Sequence, residues 1–330
     1  MLDSVESPLA EELRAVGIPM HSVPIRHAID FQRFRKLRKV VAAANPSIIH
    51  AWGPAAVRAS RLVAKKRGDC GNAPRIIASA ASFPLGGISG WLATRQLRRC
   101  DRVVPTTWAE GERYRRLGVP ADRLTRIAPG VAPPPTPPDR AVFLQELGLP
   151  ANAKIIAVAG RLEPASGFKS AVWAFDMLRY EHPDWHLVIF GEGPERDSLE
   201  AFGRAVMFDD FRIHFAGFCP DLPALLAHVE LVWMTHERGG IALALEAMAA
   251  GKPVFARKSS EMAELVEDGQ TGFLIDAGER SHLSAKSYPF LTDAAARAKL
   301  GEAGRLRAVE HFSAARAVEQ FARLYEEVAR

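Results

Sequence analysis

Two segments in the second half of the chain carry residue types that could hold an anion. In Val158–Phe168 (VAGRLEPASGF), Arg161 follows a glycine at the end of an apolar run. If this run is a strand, the forked guanidinium of an arginine at its end can hold two phosphate oxygens at once. The segment therefore indicates a candidate anion site at the carboxyl edge of a sheet.

The second segment, Trp233–Pro253 (WMTHERGGIALALEAMAAGKP), reads as a strand, a tight turn at Gly239 and Gly240, and a helix from Ile241. Backbone N–H groups at such a helix start favour an anion. Glu246 lies about one and a half turns into the helix, where its carboxylate can accept hydrogen bonds from vicinal sugar hydroxyls. The alternative is an ordinary strand–turn–helix unit whose glutamate is a solvated surface residue.

Two further segments have the same strand–loop–helix form. Ile189–Leu199 (IFGEGPERDSL) has glycines that permit a sharp turn, and His214–Leu225 (HFAGFCPDLPAL) places Gly217 and Phe218 in a strand-end loop. In the first half, His50 and Gly53 are the first and last residues of a strand end that reads HAWG. His50 either lines an acceptor site or is a hydrogen-bonded histidine of the strand end.

Short β-branched runs alternate with amphipathic stretches along the chain, which predicts α/β architecture with parallel sheets covered on both faces. The proline-rich stretch 129–138 (PGVAPPPTPP) can continue neither a helix nor a central strand, so it predicts a stiff connection. We therefore expect two Rossmann-like, doubly wound domains, at residues 1–133 and 134–330. No strand followed by a glycine-rich turn precedes Leu9, so the first domain is expected to lack its opening βα unit. The predicted strands are Met20–Val23, Ser47–Ala51, Arg75–Ser79, Arg102–Pro105, Lys154–Ala159, Trp185–Phe190, Ile213–Ala216, Leu231–Met234, Pro253–Ala256 and Gly272–Ile275.

Length and composition exclude several classes of protein. The 330 residues are 48% hydrophobic and 25% charged, which is typical of two globular domains and not of a disordered or fibrous chain. No apolar run reaches the ~18 residues of a membrane-spanning helix. The three cysteines are too few and too widely spaced for a disulfide framework or a zinc site, so we expect a cytoplasmic protein. No His, Cys or Asp cluster has metal-ligand spacing, so no metal or other cofactor is expected.

The charge is divided unevenly between the two halves. Residues 1–135 carry 22 Lys and Arg against 10 Asp and Glu, whereas the remainder carries 21 against 28. The first half is therefore expected to face something anionic. Its segment Phe31–Val41 (FQRFRKLRKVV) predicts an amphipathic helix, which either lies on the inner, anionic face of a membrane or packs on the core with a solvated basic face. The basic residues do not form a recognisable nucleic-acid-binding motif, so no nucleic acid is expected.

The four segments of the second half, in this order, resemble the C-terminal domain of the GT-B glycosyltransferases of group 1 (glycosyltransferase family 4). The family reads VGRL…KG, GxGP, FxGxxxD and SxxEGFG…EAMAxGxPV, and this chain reads AGRL…SG, GEGP, FAGFCPD and THERGGI…EAMAAGKPV. The likeness continues through Glu264–Gly272 and Phe312–Tyr325. In the first half, Pro8–Pro19, Ile48–Gly53 and Leu117–Val131 are similar to the family's acceptor domain.

The resemblance implies a retaining enzyme that transfers a sugar from a nucleoside-diphosphate sugar to an acceptor, lipid-linked or polysaccharide, which enters from the first domain. Arg161 would contact the diphosphate, Glu246 the ribose, and the loop at Gly217 and Phe218 the base. The implied donor-binding residues are Arg161, Ser166, Lys169, Gly217, Phe218, Gly239, Gly240, Ile241 and Glu246. The implied catalytic residues are Arg161, Arg238 and Glu246, and His50 and Gly53 lie on the acceptor side.

The chain departs from the family pattern at several positions. The family lysine is Ser166 here, with Lys169 one turn away, and the first glutamate of the family pair is Arg238, with Glu237 one residue off. The family histidine of the first domain aligns with Ala81. Arg238 is expected to supply the cation that Ser166 does not. The alternatives are a catalytically impaired homologue that binds a sugar nucleotide or a partner enzyme without turnover, and a sugar-nucleotide epimerase.

Overall fold

The structure is a computed structural model that describes residues 8–23, 31–64, 73–79, 94–208, 210–237, 239–276 and 280–330. It divides into two compact units. Unit 1 is Met1–Ile127 together with Phe321–Arg330, and unit 2 is Ala128–Gln320. The sequence-based boundary between residues 133 and 134 assigned the last ten residues to the second domain, whereas in the structure they pack with the first.

Unit 1 contains a three-stranded parallel sheet in the order β1 (Ile48–Trp52), β2 (Arg75–Ser79) and β3 (Arg102–Val104). Buried apolar residues of the strands and of the helices and loops beside them form its core, with Val57, Ile77 and Tyr114 fully enclosed. Thr107 is the N-cap of the helix that follows β3, because its hydroxyl accepts a hydrogen bond from the backbone N–H of Glu110 at 3.1 Å. The described elements are α1 (Pro8–Ala15), α2 (Phe31–Ala44), β1 (Ile48–Trp52), α3 (Gly53–Val63), β2 (Arg75–Ser79), β3 (Arg102–Val104) and α4 (Trp108–Arg116).

The strand predicted at Met20–Val23 is absent: these residues, all described, are irregular. Pro19 and Pro24 flank the run, and no strand of the described sheet lies beside it, because β1 pairs only with β2. Met20 is exposed. Without a partner strand, the backbone N–H and C=O groups of this run form no interstrand hydrogen bonds that would hold it extended. Water satisfies them instead.

Unit 2 contains a six-stranded, wholly parallel sheet whose strands are numbered along the chain from β4 (Lys154–Ala159) to β9 (Gly272–Ile275). Their order in the sheet is β6-β5-β4-β7-β8-β9. The chain starts in the middle of this sheet, winds outwards to β6, and returns to β7 on the other side of β4. The order reverses between β4 and β7, which is the topological switch point where doubly wound sheets bind ligands. The strands are β4 (Lys154–Ala159), β5 (Trp185–Phe190), β6 (Ile213–Gly217), β7 (Leu231–Met234), β8 (Val254–Arg257) and β9 (Gly272–Ile275).

Helices cover both faces of the six-stranded sheet. Alternate residues of β4 point to opposite sides, so that Ile155 and Ala157 belong to one buried cluster and Ile156 and Val158 to the other. The described helices of unit 2 are α5 (Arg140–Glu146), α6 (Phe168–Arg179), α7 (Arg196–Met207), α8 (Leu222–Leu225), α9 (Ile241–Ala249), α10 (Met262–Leu265), α11 (Arg280–Thr292) and α12 (Ala294–His311). A last helix, α13 (Ala314–Ala329), contributes its final residues to unit 1.

Candidate functional site

The candidate site lies at the carboxyl ends of β4 and β7, on the two sides of the switch point. The chain leaves β4 through Gly160 and Arg161, and it leaves β7 through Thr235 and His236. Two hydrogen bonds hold these loops together. The Thr235 hydroxyl donates to the carbonyl oxygen of Ser166 at 2.7 Å, and the Glu237 N–H donates to the carbonyl of Ala165 at 3.0 Å.

Arg161 presents its guanidinium to solvent at this edge. Its side chain is 72% exposed, and its Nε lies 3.5 Å from a carboxylate oxygen of Glu163. A contact of this length in water contributes little stability, so an anionic ligand can compete for the guanidinium. The structure therefore leaves Arg161 accessible at the strand end where the sequence predicts it.

Ser166, which the resemblance implies to be a donor contact, has its side chain inside the loop. The residue is only 2% exposed, and its hydroxyl donates to the carbonyl oxygen of Arg161. Ser166 closes the turn after β4 and offers no hydroxyl at the surface. The nearest described cation along the chain, Lys169 in the first turn of α6, is half exposed and lies 3.9 Å from Glu195.

His236 occupies the centre of the site, although no feature of its sequence singled it out. Its Nε2 lies so close to Gly160 that an added Cβ there would be 2.4 Å away, and its Nδ1 faces Gly240. The edge of Phe168 packs against the ring at a centroid distance of 5.6 Å. Among the described residues, Nδ1 has no hydrogen-bond partner although it is shielded from solvent. Burial lowers the pKa of His236, so the ring is neutral at pH 7.

Helix α9 directs its N-terminus towards this histidine. Gly239 and Gly240 precede it with φ angles of +81° and +74°, and Gly240 is the N-cap residue. This left-handed conformation favours glycine and turns the chain sharply out of β7. Ile241 starts the helix and is half-buried. The first N–H groups of α9 have no acceptor within the helix, which creates a partial positive charge at this end.

Glu246 lies further along α9 beside the proline-rich segment. It lines a pocket of about 240 Å³ together with residues 129–135, Pro223 and Ala242. Burial raises the pKa of this half-buried glutamate. A partly dehydrated carboxylate in a mostly apolar pocket is suited to accept hydrogen bonds from a ligand's hydroxyl groups.

The remaining donor-side residues lie in neighbouring loops or outside the described part of the chain. Gly217 ends β6, and Phe218 after it is 75% exposed. Arg238 lies outside the described residues. Glu237 directs its carboxylate to the guanidinium of Arg257, at 3.0 Å.

In unit 1, His50 is hydrogen-bonded through both ring nitrogens. Nδ1 lies 2.7 Å from the Tyr325 hydroxyl and Nε2 lies 2.7 Å from the Ser79 hydroxyl. Burial lowers the pKa of His50 to about 4, so the ring is neutral at pH 7. These contacts favour the interpretation of a hydrogen-bonded strand-end histidine. The ring of Trp52 is tilted against that of His50 at a centroid distance of 4.8 Å and is 62% exposed. Trp52 precedes Gly53, which begins α3 with a φ of +82°.

No three His, Cys, Asp or Glu side chains in the described ranges come together as metal ligands would. None of the helices described above is both long and apolar enough to cross a bilayer.

Comparison with known proteins identifies the family. The model of group 1 glycosyl transferases matches residues 139–307, and that of glycosyltransferase family 4 matches residues 3–133. The lipopolysaccharide core biosynthesis glycosyltransferase LpsE of Rhizobium meliloti is 27% identical over 84% of this chain and 75% of its own length. The GDP-mannose-dependent alpha-(1-6)-phosphatidylinositol monomannoside mannosyltransferase of Mycolicibacterium smegmatis is 28% identical over 73% and 67%.

Solved structures agree on the fold. Anabaena HepE, crystallised with UDP and glucose, superimposes with a TM-score of 0.82 at 21% identity, over 98% of this chain and 90% of HepE. Sucrose-phosphate synthase of Thermosynechococcus elongatus gives 0.76 at 21% identity, over 92% and 80%. The predicted α/β fold of GT-B type is confirmed. Because the group 1 model alone matches half of its residues, the chain belongs to the group 1 glycosyl transferases and is a transferase enzyme.

Proposed function

We propose that unit 2 binds a nucleoside-diphosphate sugar at the switch point, and that the protein transfers the sugar with retention of configuration. The observation that carries the proposal is the position of His236, which is packed against Gly160 after β4 and faces Gly240 before α9. The two elements best suited to bind a diphosphate, the Arg161 loop and the N-terminus of α9, therefore meet around one side chain.

The charges of these elements match the chemistry of the reaction. Negative charge grows on the leaving diphosphate as the glycosidic bond breaks, and fixed positive groups stabilise it. The exposed Arg161 guanidinium, the start of α9 and Lys169 provide such groups, whereas Ser166 provides none. In this proposal Glu246 accepts hydrogen bonds from the ribose hydroxyls, and Phe218 stacks on the base. No step requires a metal ion.

The names of similar proteins support this donor class. HepE was crystallised with UDP-glucose, and the mycobacterial relative is GDP-mannose-dependent. The two share a nucleoside diphosphate and differ in base and sugar. We therefore propose the class of donor without assigning its base or sugar.

For the acceptor we propose a lipid-linked or polysaccharide glycan bound by unit 1, at a cytoplasmic membrane face. The names of two relatives refer to lipopolysaccharide and to phosphatidylinositol mannoside. Helix α2 exposes Arg35, Lys36, Arg38 and Lys39, while Phe34, Leu37, Val40 and Val41 are half-buried. This basic face is suited to an anionic lipid surface.

The test measures release of nucleoside diphosphate from a panel of UDP-, GDP- and ADP-sugars. Arg161→Ala should weaken donor binding by about 10- to 100-fold, the loss expected for a hydrogen bond to a charged group. Arg204→Ala is the matched control, because Arg204 is an equally exposed arginine of unit 2 that pairs with Glu200 on α7. Equal donor affinity of the two variants would contradict the proposed site.

The same assay separates turnover from binding alone. The buried Ser166 leaves the family lysine position without a cation, which favours an impaired homologue as the second candidate function. Donor binding without release of nucleoside diphosphate, in the presence of membrane lipid extracts as acceptors, would support that second candidate. Release of nucleoside diphosphate would exclude it.

A further inference from the structure

A separate pocket in unit 1 is lined by arginines. It has a volume of about 360 Å³ and lies between α3 and the segment 94–99. Its lining residues are Arg58, Arg61, Leu62, Arg95, Gln96 and Arg99. Four guanidinium groups thus surround a space large enough for a phosphate group and part of the molecule that carries it.

Among the residues that the structure describes, no carboxylate lines this pocket. Other arginines of unit 1 are paired: Arg75 lies 3.1 Å from Asp101, and Arg102 lies 3.0 Å from Glu327. Within the described ranges, by contrast, Arg58, Arg61 and Arg99 form no ion pair. Like charges placed together without a counter-ion repel one another, and this repulsion destabilises the folded protein. An anion bound in the pocket would replace the repulsion by a net attraction.

Arg61 has an unused donor here. Its Nη1 is shielded from solvent and has no acceptor among the described residues. A buried N–H without an acceptor destabilises the folded protein, and more so when the group is charged. A phosphate oxygen bound between the guanidiniums would supply the acceptor.

The positive surface continues from the pocket onto α2. Arg38 donates from Nη2 and Nε to the carbonyl oxygen of Leu62, at 3.0 and 3.3 Å, and Leu62 itself lines the pocket. This contact fixes α2 beside the pocket, with Arg35, Lys36 and Lys39 exposed on the helix. An approaching anion is therefore attracted by a wider field than that of the pocket alone.

We propose that this pocket is a binding site for a phosphate monoester, carried either by a lipid headgroup or by a soluble phosphorylated compound. Arginine forks are suited to phosphate because they hold two of its oxygens at once. The site is made of unit 1 residues only, so it shares no residue with the donor site proposed in unit 2. The inference does not depend on the identity of the donor.

The experiment compares two double variants that remove the same charge. Arg61→Gln/Arg99→Gln alters the pocket, whereas Arg35→Gln/Lys39→Gln removes two charges from α2 outside it. The soluble probe is glycerol 3-phosphate, measured by titration calorimetry. The lipid probe is a phosphatidylcholine vesicle containing phosphatidic acid, measured by co-sedimentation against vesicles of phosphatidylcholine alone. Thermal unfolding of each variant verifies that it is folded, and Arg61→Lys, which keeps the charge and loses the fork, serves if the pocket variant does not fold.

We expect the pocket variant to bind glycerol 3-phosphate about tenfold more weakly, and the α2 variant to stay within about twofold of the wild type. If the pocket variant also loses vesicle binding more than the α2 variant does, the phosphate comes from a lipid headgroup. A second outcome is that vesicle binding falls equally in both variants, while only the pocket variant binds the soluble probe more weakly. In that case the ligand is a soluble phosphorylated compound. Equal effects of both variants on both probes, or no binding of either probe by the wild type, would overturn the proposal.

Discussion

Replacing Gly160 by alanine tests the arrangement around His236. Gly160 has a φ of +148°, and its added Cβ would lie 2.4 Å from Nε2 of His236. The backbone conformation alone costs a residue with a side chain about 1–3 kcal/mol. Displacing a packed ring costs about another 1–3 kcal/mol. We therefore expect Gly160→Ala to lower the free energy of unfolding of unit 2 by about 2–6 kcal/mol, measured by urea denaturation.

Two further variants separate these contributions. Gly239→Ala is the control for the backbone, because Gly239 has a φ of +81° and its Cβ would meet nothing within 4 Å. His236→Ala removes the ring, so Gly160→Ala should cost about 1–3 kcal/mol less in that background than in the wild type. Equal costs of Gly160→Ala in the two backgrounds would refute the contact, and with it the central observation on which the donor site rests.

Three other predictions concern buried polar groups. Trp233→Phe removes the indole N–H that donates to the fully buried Ser287 hydroxyl at 2.9 Å. It should lower the free energy of unfolding, measured by urea denaturation, by about 1–3 kcal/mol. Adding Ser287→Ala to this variant should recover part of that loss of stability. Because the pKa of His50 is lowered to about 4, its contribution to stability is present above pH 6.5 and is lost as the pH falls towards 4. Allowing for solvent screening of a half-buried ring, we expect a loss of about 1–2 kcal/mol. Melting temperatures of His50→Gln should lack this part of the pH dependence, and an unchanged profile would contradict it. Glu246→Gln should raise the donor KM by about tenfold with a smaller change in kcat, and an unaltered KM would argue against a ribose contact.

The inner strands of unit 2, β4, β5, β7 and β8, could be predicted from sequence because they are buried on both faces. Such strands are nearly continuous apolar runs, and Lys154–Ala159 and Trp185–Phe190 begin and end where the pattern places them. The run Met20–Val23 (MHSV) is shorter and half polar, and it pairs with no strand among the described residues. Pairing is a property of two segments that one segment cannot reveal. Helices α3, α4 and α5 were not predicted, although Thr107 and Asp139, before the last two, are typical N-cap residues.

The candidate site could be predicted only in part. The exposed guanidinium of Arg161 follows from its position after a buried strand. The burial of Ser166 does not, because it depends on how the turn after β4 folds back on the carbonyl of Arg161. His236 could not have been found from sequence spacing, since its surroundings come from Gly160 and Gly240, which are 80 residues apart in the chain.

The hydrogen bond between His50 and Tyr325 has a consequence for synthesis on the ribosome. Residues 321–330 belong to unit 1, whereas all of unit 2 lies between them and residue 127. Domains usually fold in the order in which they are made, N-terminal first. Here the second unit emerges in full while the first still lacks the tyrosine that pairs with its strand-end histidine. Unit 1, although translated first, is therefore expected to reach its final packing last, and a fragment ending at residue 127 should be less stable than the same residues in the whole chain.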